Sequence, residues 1–193
     1  MSASAREENR MKIGLISDTH APALGVHPPI EVERALAGVD LILHAGDIYS
    51  ADCLDWLERL APVIAVEVAP APVIGDPRVA ERRVISLKGY AVGLVHDLAI
   101  RGVDEVQPGH LARAFPEPER LHASLHQFFE ASVDVVVFGH THYALAERHH
   151  GVLFVNPGSP TLPRQTRRLG QVAILDLSGP APEAEIIELS TLV

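Results

Sequence analysis

The stretch KIGLISDTH, Lys12–His20, decides the fold. Ile13 to Ser17 is a short, nearly continuous apolar run that ends in an acid and an imidazole. A run without polar alternation reads as a strand covered on both faces, the kind found in sheets with layers on either side. The same pattern recurs downstream. Val39 to His44 runs into Asp47, and Val63 to Val68 forms a third apolar run. Helical segments lie between them: PPIEVERALAG, with prolines placed to open it and Gly38 to close it, then ADCLDWLERL. Strand, helix and strand in this order are βαβ units, and the first half of the chain is α/β.

After Gly75 the rhythm changes. RRVISL and YAVGLVH are separated by Lys88-Gly89, a tight-turn signal that predicts a hairpin. From Asp97 to Glu119 periodicity is lost among Pro108, Pro116, Pro118 and several glycines. That is long for a structureless connection, and a lid, a binding loop or a subunit contact is expected there. PERLHASLHQFFEA reads as a helix feeding the strand VDVVVFGH, and ALAERHH, VLFVN, QVAILDL and AEIIEL complete a hairpin-rich second half. The expected organisation is a polar tail over 1–10 and one domain over 11–193 with a Pro-rich insert at about 97–119.

At 193 residues the chain is long enough for one well-packed domain. A formal net charge of −9 argues against a surface that tracks nucleic-acid phosphates, but a cation could still reverse the field inside one cleft. The single cysteine, Cys53, excludes an intramolecular disulfide and a thiolate zinc cage. MSASAREENRMK has no apolar leader-like core, and no run approaches membrane-spanning length. The expectation is a cytoplasmic protein without a membrane partner. Eleven histidines remain to be explained.

Ligands in open α/β sheets collect beyond the carboxyl ends of the strands. Asp18 and His20 follow the first strand and, two apart in extended chain, point the same way. Asp47 follows the second strand behind Gly46, His96 ends the hairpin strand, and His140 and His142 follow another strand behind Gly139. These six nitrogen and oxygen donors suit Mn, Fe, Zn or Mg. Two ions sharing a carboxylate fits the count, and a pair ~4 Å apart clamps an in-line displacement at phosphorus.

The other histidines carry blander readings. His44 points away from the site if Asp47 points into it, and is assigned a structural role beside the ligands. His122 with His126, and His149 with His150, read as surface or packing residues; His27 and His110 fall in loops. Asp76 and Asp97 are candidate substitute ligands, Asp76 more simply a turn residue.

SDTH, HAGD, VH, GHTH and NPGSPTLPR, in this order, resemble the calcineurin-like metallophosphoesterases. The likeness is to the small phosphodiesterase branch that includes vacuolar sorting protein 29 of retromer, and it runs from Met11 to the C-terminus. The resemblance implies two mixed sheets packed as a sandwich flanked by helices. It implies Asp18, His20 and His142 on a first metal, Asp47 bridging, His96 and His140 on a second, and a hydroxide between the ions as the attacking group. It also places Asn156 and Ser159 against the substrate, although Asn-Pro-Gly is turn chemistry in any protein. The expected cofactor is Mn, with Fe, Zn, Mg or Ni as alternatives. The expected partners are a small phosphodiester or phosphomonoester and, as an option, a second copy of the chain.

One motif is broken. VIAVEVAPAP, Val63–Pro72, puts Val68, Ala69 and Ala71 where the family has Gly, a metal-binding Asn and Asp. The expectation is one ion held firmly, a second short of a ligand, and weak activity. The alternative is a scaffold of the same fold that works through protein contacts.

Overall fold

Apolar residues at period two along β1 (Lys12–Ile16) and β2 (Leu41–His44) face two different cores. Ile13, Leu15, Leu41 and Leu43 point one way, and Ile16 and Ile42 point the other. This is why the runs show no polar alternation: both faces are buried. The computed structural model describes residues 11–193 apart from 22, 24–26, 101, 104, 108, 112–115 and 162–168. The expected tail at 1–10 and Leu162 to Arg164 of the last motif lie outside the described residues.

The first sheet has six strands, in the order β13 (Glu183–Glu188), β12 (Gln171–Asp176), β1, β2, β3 (Val63–Val66) and β4 (Val79–Ala80). β1 to β4 are parallel, while β12 and β13 are antiparallel. The second sheet orders β10 (Leu145–His149), β11 (Val152–Asn156), β9 (Val135–Val137), β6 (Tyr90–Val95) and β5 (Arg82–Leu87), again mixed. Leu15 and Leu43 of the first sheet share a core with Val92, Leu94, Val135 and Val155 of the second, so the sheets pack face to face.

Helices cover the outer faces. α1 (Ile30–Ala35) and α2 (Ala51–Glu58) bring Val32, Leu54, Trp56 and Leu57 onto the first sheet. Ser50 caps α2 by accepting the Asp52 N–H at 3.1 Å. α3 (Pro118–Phe129) starts on a proline and sets Leu121, Leu125 and Phe129, one helical turn apart, against Val136 and Phe154. Lys88 and Gly89, at φ 50° and 85°, make the predicted β5–β6 hairpin turn.

The insert carries structure of its own. Its described part contains a small hairpin of β7 (Glu105–Gln107) and β8 (His110–Leu111). Leu98, Ile100, Val103 and Leu111 are buried in the core beneath α3. Four apolar residues scattered without period gave no strand or helix signal, yet each joins the core beneath α3. No helix among the described residues is long and apolar enough to cross a membrane.

Candidate metal centre

The exits of β1, β2, β6 and β9 meet at one end of the sandwich. Asp18, His20, Asp47, His140 and His142 all adopt positive φ, from 47° to 72°. For residues with a Cβ this conformation costs roughly 1–2 kcal/mol each. The turns are held by backbone bonds between loops: Asp18 N–H donates to Gly46 O and His20 N–H to Asp47 O, both at 2.9 Å. His140 N–H donates to both Asp18 oxygens at 3.2 Å. Two glycines make this approach feasible. A Cβ on Gly46 would lie 2.3 Å from His96 Nδ1, and one on Gly139 would lie 2.7 Å from Ser17 Oγ and 2.8 Å from Asp18 Oδ2.

One donor atom from each of Asp18, His20, Asp47 and His142 falls within 4.8 Å of all the others. His20 Nε2 is 3.1 Å from His142 Nε2 and 3.5 Å from Asp47 Oδ2, and His142 Nε2 is 3.3 Å from Asp18 Oδ1. An ion with ~2.1 Å bonds has neighbouring ligand atoms ~3–3.5 Å apart, so these spacings fit a bound cation. His96 is prepared in the same sense. Its Nδ1–H donates to Ala45 O at 2.7 Å, leaving Nε2 facing Asp47 Oδ2 at 3.7 Å. A histidine that ligates through one nitrogen and anchors the other on a carbonyl is a recurring second-layer device. The His140 ring meets the His96 ring edge-on, with centroids 5.3 Å apart.

The electrostatics also ask for a cation. Burial first, and then the nearby Asp47 charge, raise the Asp18 pKa to about 8, against the Ser17 hydroxyl bond that lowers it. Burial lowers the pKa of His20 and of His142, which keeps both imidazoles neutral and available as donors. Tyr49, also at positive φ, lies with its ring 5.2 Å from that of His20. Burial first, and then the nearby Asp47 charge, push the Tyr49 pKa up to about 12.

Asn156 and Ser159, expected against the substrate, lie buried beside the loops that carry Asp18 and His140. Asn156 is fully buried: Nδ2 donates to Gly139 O at 2.9 Å and Thr141 Oγ1 at 3.1 Å, and Oδ1 accepts Gly158 N–H at 2.9 Å. Ser159 Oγ, also buried, lies 2.8 Å from Asp18 O and 2.6 Å from Thr161 O. These side chains brace the loops that carry Asp18, His140 and His142, and their polar atoms are committed to that backbone.

His44 is buried as expected. Gly46 N–H donates to its Nδ1 at 3.2 Å, so Nε2–H faces Thr19 Oγ1 at 3.1 Å, and the ring ties two ligand loops together. Burial lowers its pKa to about 3. Asp76 pairs with Arg78 at 2.7 Å, and His122 Nε2 donates to His150 O at 3.2 Å. Asp97 is exposed beside His140 in a cleft of about 350 Å³.

Two residues escaped the sequence reading. Glu67, at the end of β3, is 2% exposed and accepts Ile48 N–H at 2.8 Å and Val68 N–H at 2.9 Å. A charge closing an otherwise apolar strand was the available signal. Tyr49 gave none, because a tyrosine two residues past an acid is ordinary in a loop.

Two mixed sheets packed face to face, with converging acid and imidazole side chains at one end, define a metal-binding α/β sandwich. The calcineurin-like phosphoesterase superfamily domain matches residues 11–179, and the chain belongs to that superfamily. It is 36% identical over 179 residues to a probable metallophosphoesterase of Methanothermobacter thermautotrophicus, covering 92% of each chain. Among solved structures it resembles vacuolar protein sorting 29 of Cryptosporidium parvum, at a TM-score of 0.65 and 19% identity, over 93% of this chain and 97% of that one. It also resembles an archaeal phosphodiesterase at a TM-score of 0.59 and 21% identity, over 92% and 100%.

Proposed function

We propose that this protein is a metal-dependent phosphoesterase that hydrolyses a small phosphodiester or phosphomonoester. The observation that carries the reading is the cluster of Asp18, His20, Asp47 and His142, whose donor spacings fit a cation. Superfamily membership supports the reaction class. A divalent cation held there, Mn by preference, supplies Lewis-acid polarisation of a phosphoryl oxygen and of water. The protein's own part is positional. Asn156 and Ser159 hold the loops of His140, His142 and Asp18, and His44 locks the Asp47 loop to Thr19. Asp97 and His140 border a cleft able to admit a compact ester. A net charge of −9 favours small substrates whose phosphate reaches the cation over a long polyanion.

A second reading is a scaffold that holds metal without turnover; Ala69 in place of the family Asn favours it. Hydrolysis of bis(p-nitrophenyl) phosphate with added Mn separates the two. Turnover in the wild type that His142→Ala abolishes supports the enzyme. Metal uptake with no turnover in the wild type supports the scaffold.

A further inference from the structure

The cleft that Asp97 and His140 border does not end at the metal centre. Ala99 lines it and also lines a second recess, of about 360 Å³, together with Arg82, Ser124, Gln127 and Phe128. A residue common to both sets the two hollows side by side, as one trough leading away from His140. Strand register explains why Arg82 stands there. It pairs with Val95 across the β5–β6 ladder, and Val95 precedes His96. One strand spacing across and one residue along put the Arg82 backbone roughly 6 Å from that of His96.

The recess differs in charge from the rest of the molecule. The chain has a formal net charge of −9, yet among the described residues the lining holds a guanidinium and no acid. Arg82 Cζ lies over the Phe128 ring, 5.3 Å from its centroid. Such stacking orients the guanidinium plane and leaves its N–H edge free for an oxyanion. Ser124 and Gln127, one helical turn apart on α3, add a hydroxyl and an amide donor beside it. Glu130, which pairs with Arg82 at 3.4 Å, is 81% exposed. An exposed pair of this kind contributes little and yields readily to a bound anion. Glu67 and Glu81 line a different cleft that Arg82 also borders. Asp97, in the connecting cleft, suits a hydroxyl there better than a charge.

We propose that Arg82, with Ser124 and Gln127, binds a second anionic group, a phosphate or a carboxylate, at the far end of the ester. The preferred substrate is then a small phosphate ester charged at both ends, with one end on the metal and the other in the recess. The proposal rests on the phosphoesterase reading given above and adds a specificity site to it. A planar guanidinium meets either anion with two parallel hydrogen bonds, so the geometry selects for charge and shape together.

The test is calorimetric binding of non-hydrolysable ligands to the Mn-loaded protein, so that the readout does not depend on turnover. The ligands are alkane bisphosphonates and phosphonocarboxylates of graded spacer length, each beside the alkylphosphonate of matching length. At one spacer length a doubly charged ligand should bind about tenfold or more tighter than its singly charged match. The tighter of the two doubly charged series identifies the second group as phosphate or carboxylate. Arg82→Gln should bring that ratio to within about twofold of one, and Gln127→Glu, which sets a negative charge in the recess, should do the same. No gain at any spacer length, or a gain that survives both substitutions, overturns the assignment. The phosphoesterase reading is judged separately, by turnover of bis(p-nitrophenyl) phosphate and its loss in His142→Ala. Turnover without a preference for doubly charged ligands sinks the recess alone.

Discussion

Tyr49 shows how far the centre extends beyond its donor atoms. Its ring lies 5.2 Å from that of His20, and its backbone is held at φ 62°. Packing of this ring limits the rotation of the His20 imidazole. Aromatic pairs are worth about 0.5–1.5 kcal/mol beyond their buried area. Tyr49→Ala should therefore weaken Mn binding roughly threefold or more, with the circular dichroism of the metal-free protein unchanged. Competition with a chromogenic chelator measures this, and unchanged affinity would remove Tyr49 from the centre.

At this scale the sequence exposed the donors, because acids and imidazoles at strand exits stand out against apolar runs. It could not reveal which polar side chains turn inward. Asn156 and Ser159 look like substrate contacts in a Gly-Pro-rich turn, and only the neighbouring carbonyls show that they face the protein. Glu67 was hidden for the same reason: its partners are backbone N–H groups of Ile48 and Val68, which no residue letter encodes.

The elements were more legible than the contacts between them. The βαβ half and the β5–β6 hairpin follow from runs, caps and the Lys88-Gly89 turn. The insert was not legible, because Leu98, Ile100, Val103 and Leu111 bury themselves by tertiary packing without a local period. Leu111→Ala should accordingly cost about 2–5 kcal/mol in urea unfolding. A flexible lid would instead leave stability unchanged and alter KM. Glycine placement gives a second test of element packing. The β9 exit approaches the β1 and β2 exits so closely that a methyl at position 139 would lie 2.7–2.8 Å from Ser17 Oγ, Asp18 Oδ2 and the Ala45 carbonyl, and must displace them. Gly139→Ala should lower Mn affinity by at least tenfold with a smaller loss of stability, because the clash falls on the ligand loop and not on a hydrophobic core. Parallel calorimetry and thermal melts separate the two effects.

At the scale of the whole molecule, metal, protons and stability are linked through Asp18. Its folded pKa of about 8 lies above the ordinary value of 3.8. Between these values the folded metal-free protein keeps a proton that the unfolded chain has released, so Asp18 makes stability fall as pH rises from about 4 to about 8. A cation at the same oxygens takes the place of that proton. Binding therefore releases a proton below pH about 8 and releases none from Asp18 well above it. Each pH unit from 6 to 8 should tighten apparent Mn binding about tenfold, which is about 1.4 kcal/mol. For a chain of this size that corresponds to about 3–5 °C of additional metal-induced stabilisation per unit at fixed excess Mn. His20 and His142 add no opposing slope there, since burial keeps them neutral. His44 acts lower down. With a folded pKa of about 3 against an ordinary 6.5, it withdraws stability as pH falls below 6.5, in the metal-loaded and metal-free forms alike. The difference between their melting temperatures should thus widen from pH 6 to 8 and level off above about 8.5, with the metal-free form melting lower as pH rises from 6.5 to 8. Paired thermal melts with Mn and with chelator across that range measure it. A difference independent of pH would mean that Asp18 is already ionised without metal, and that the centre is less tightly closed around it than its burial implies.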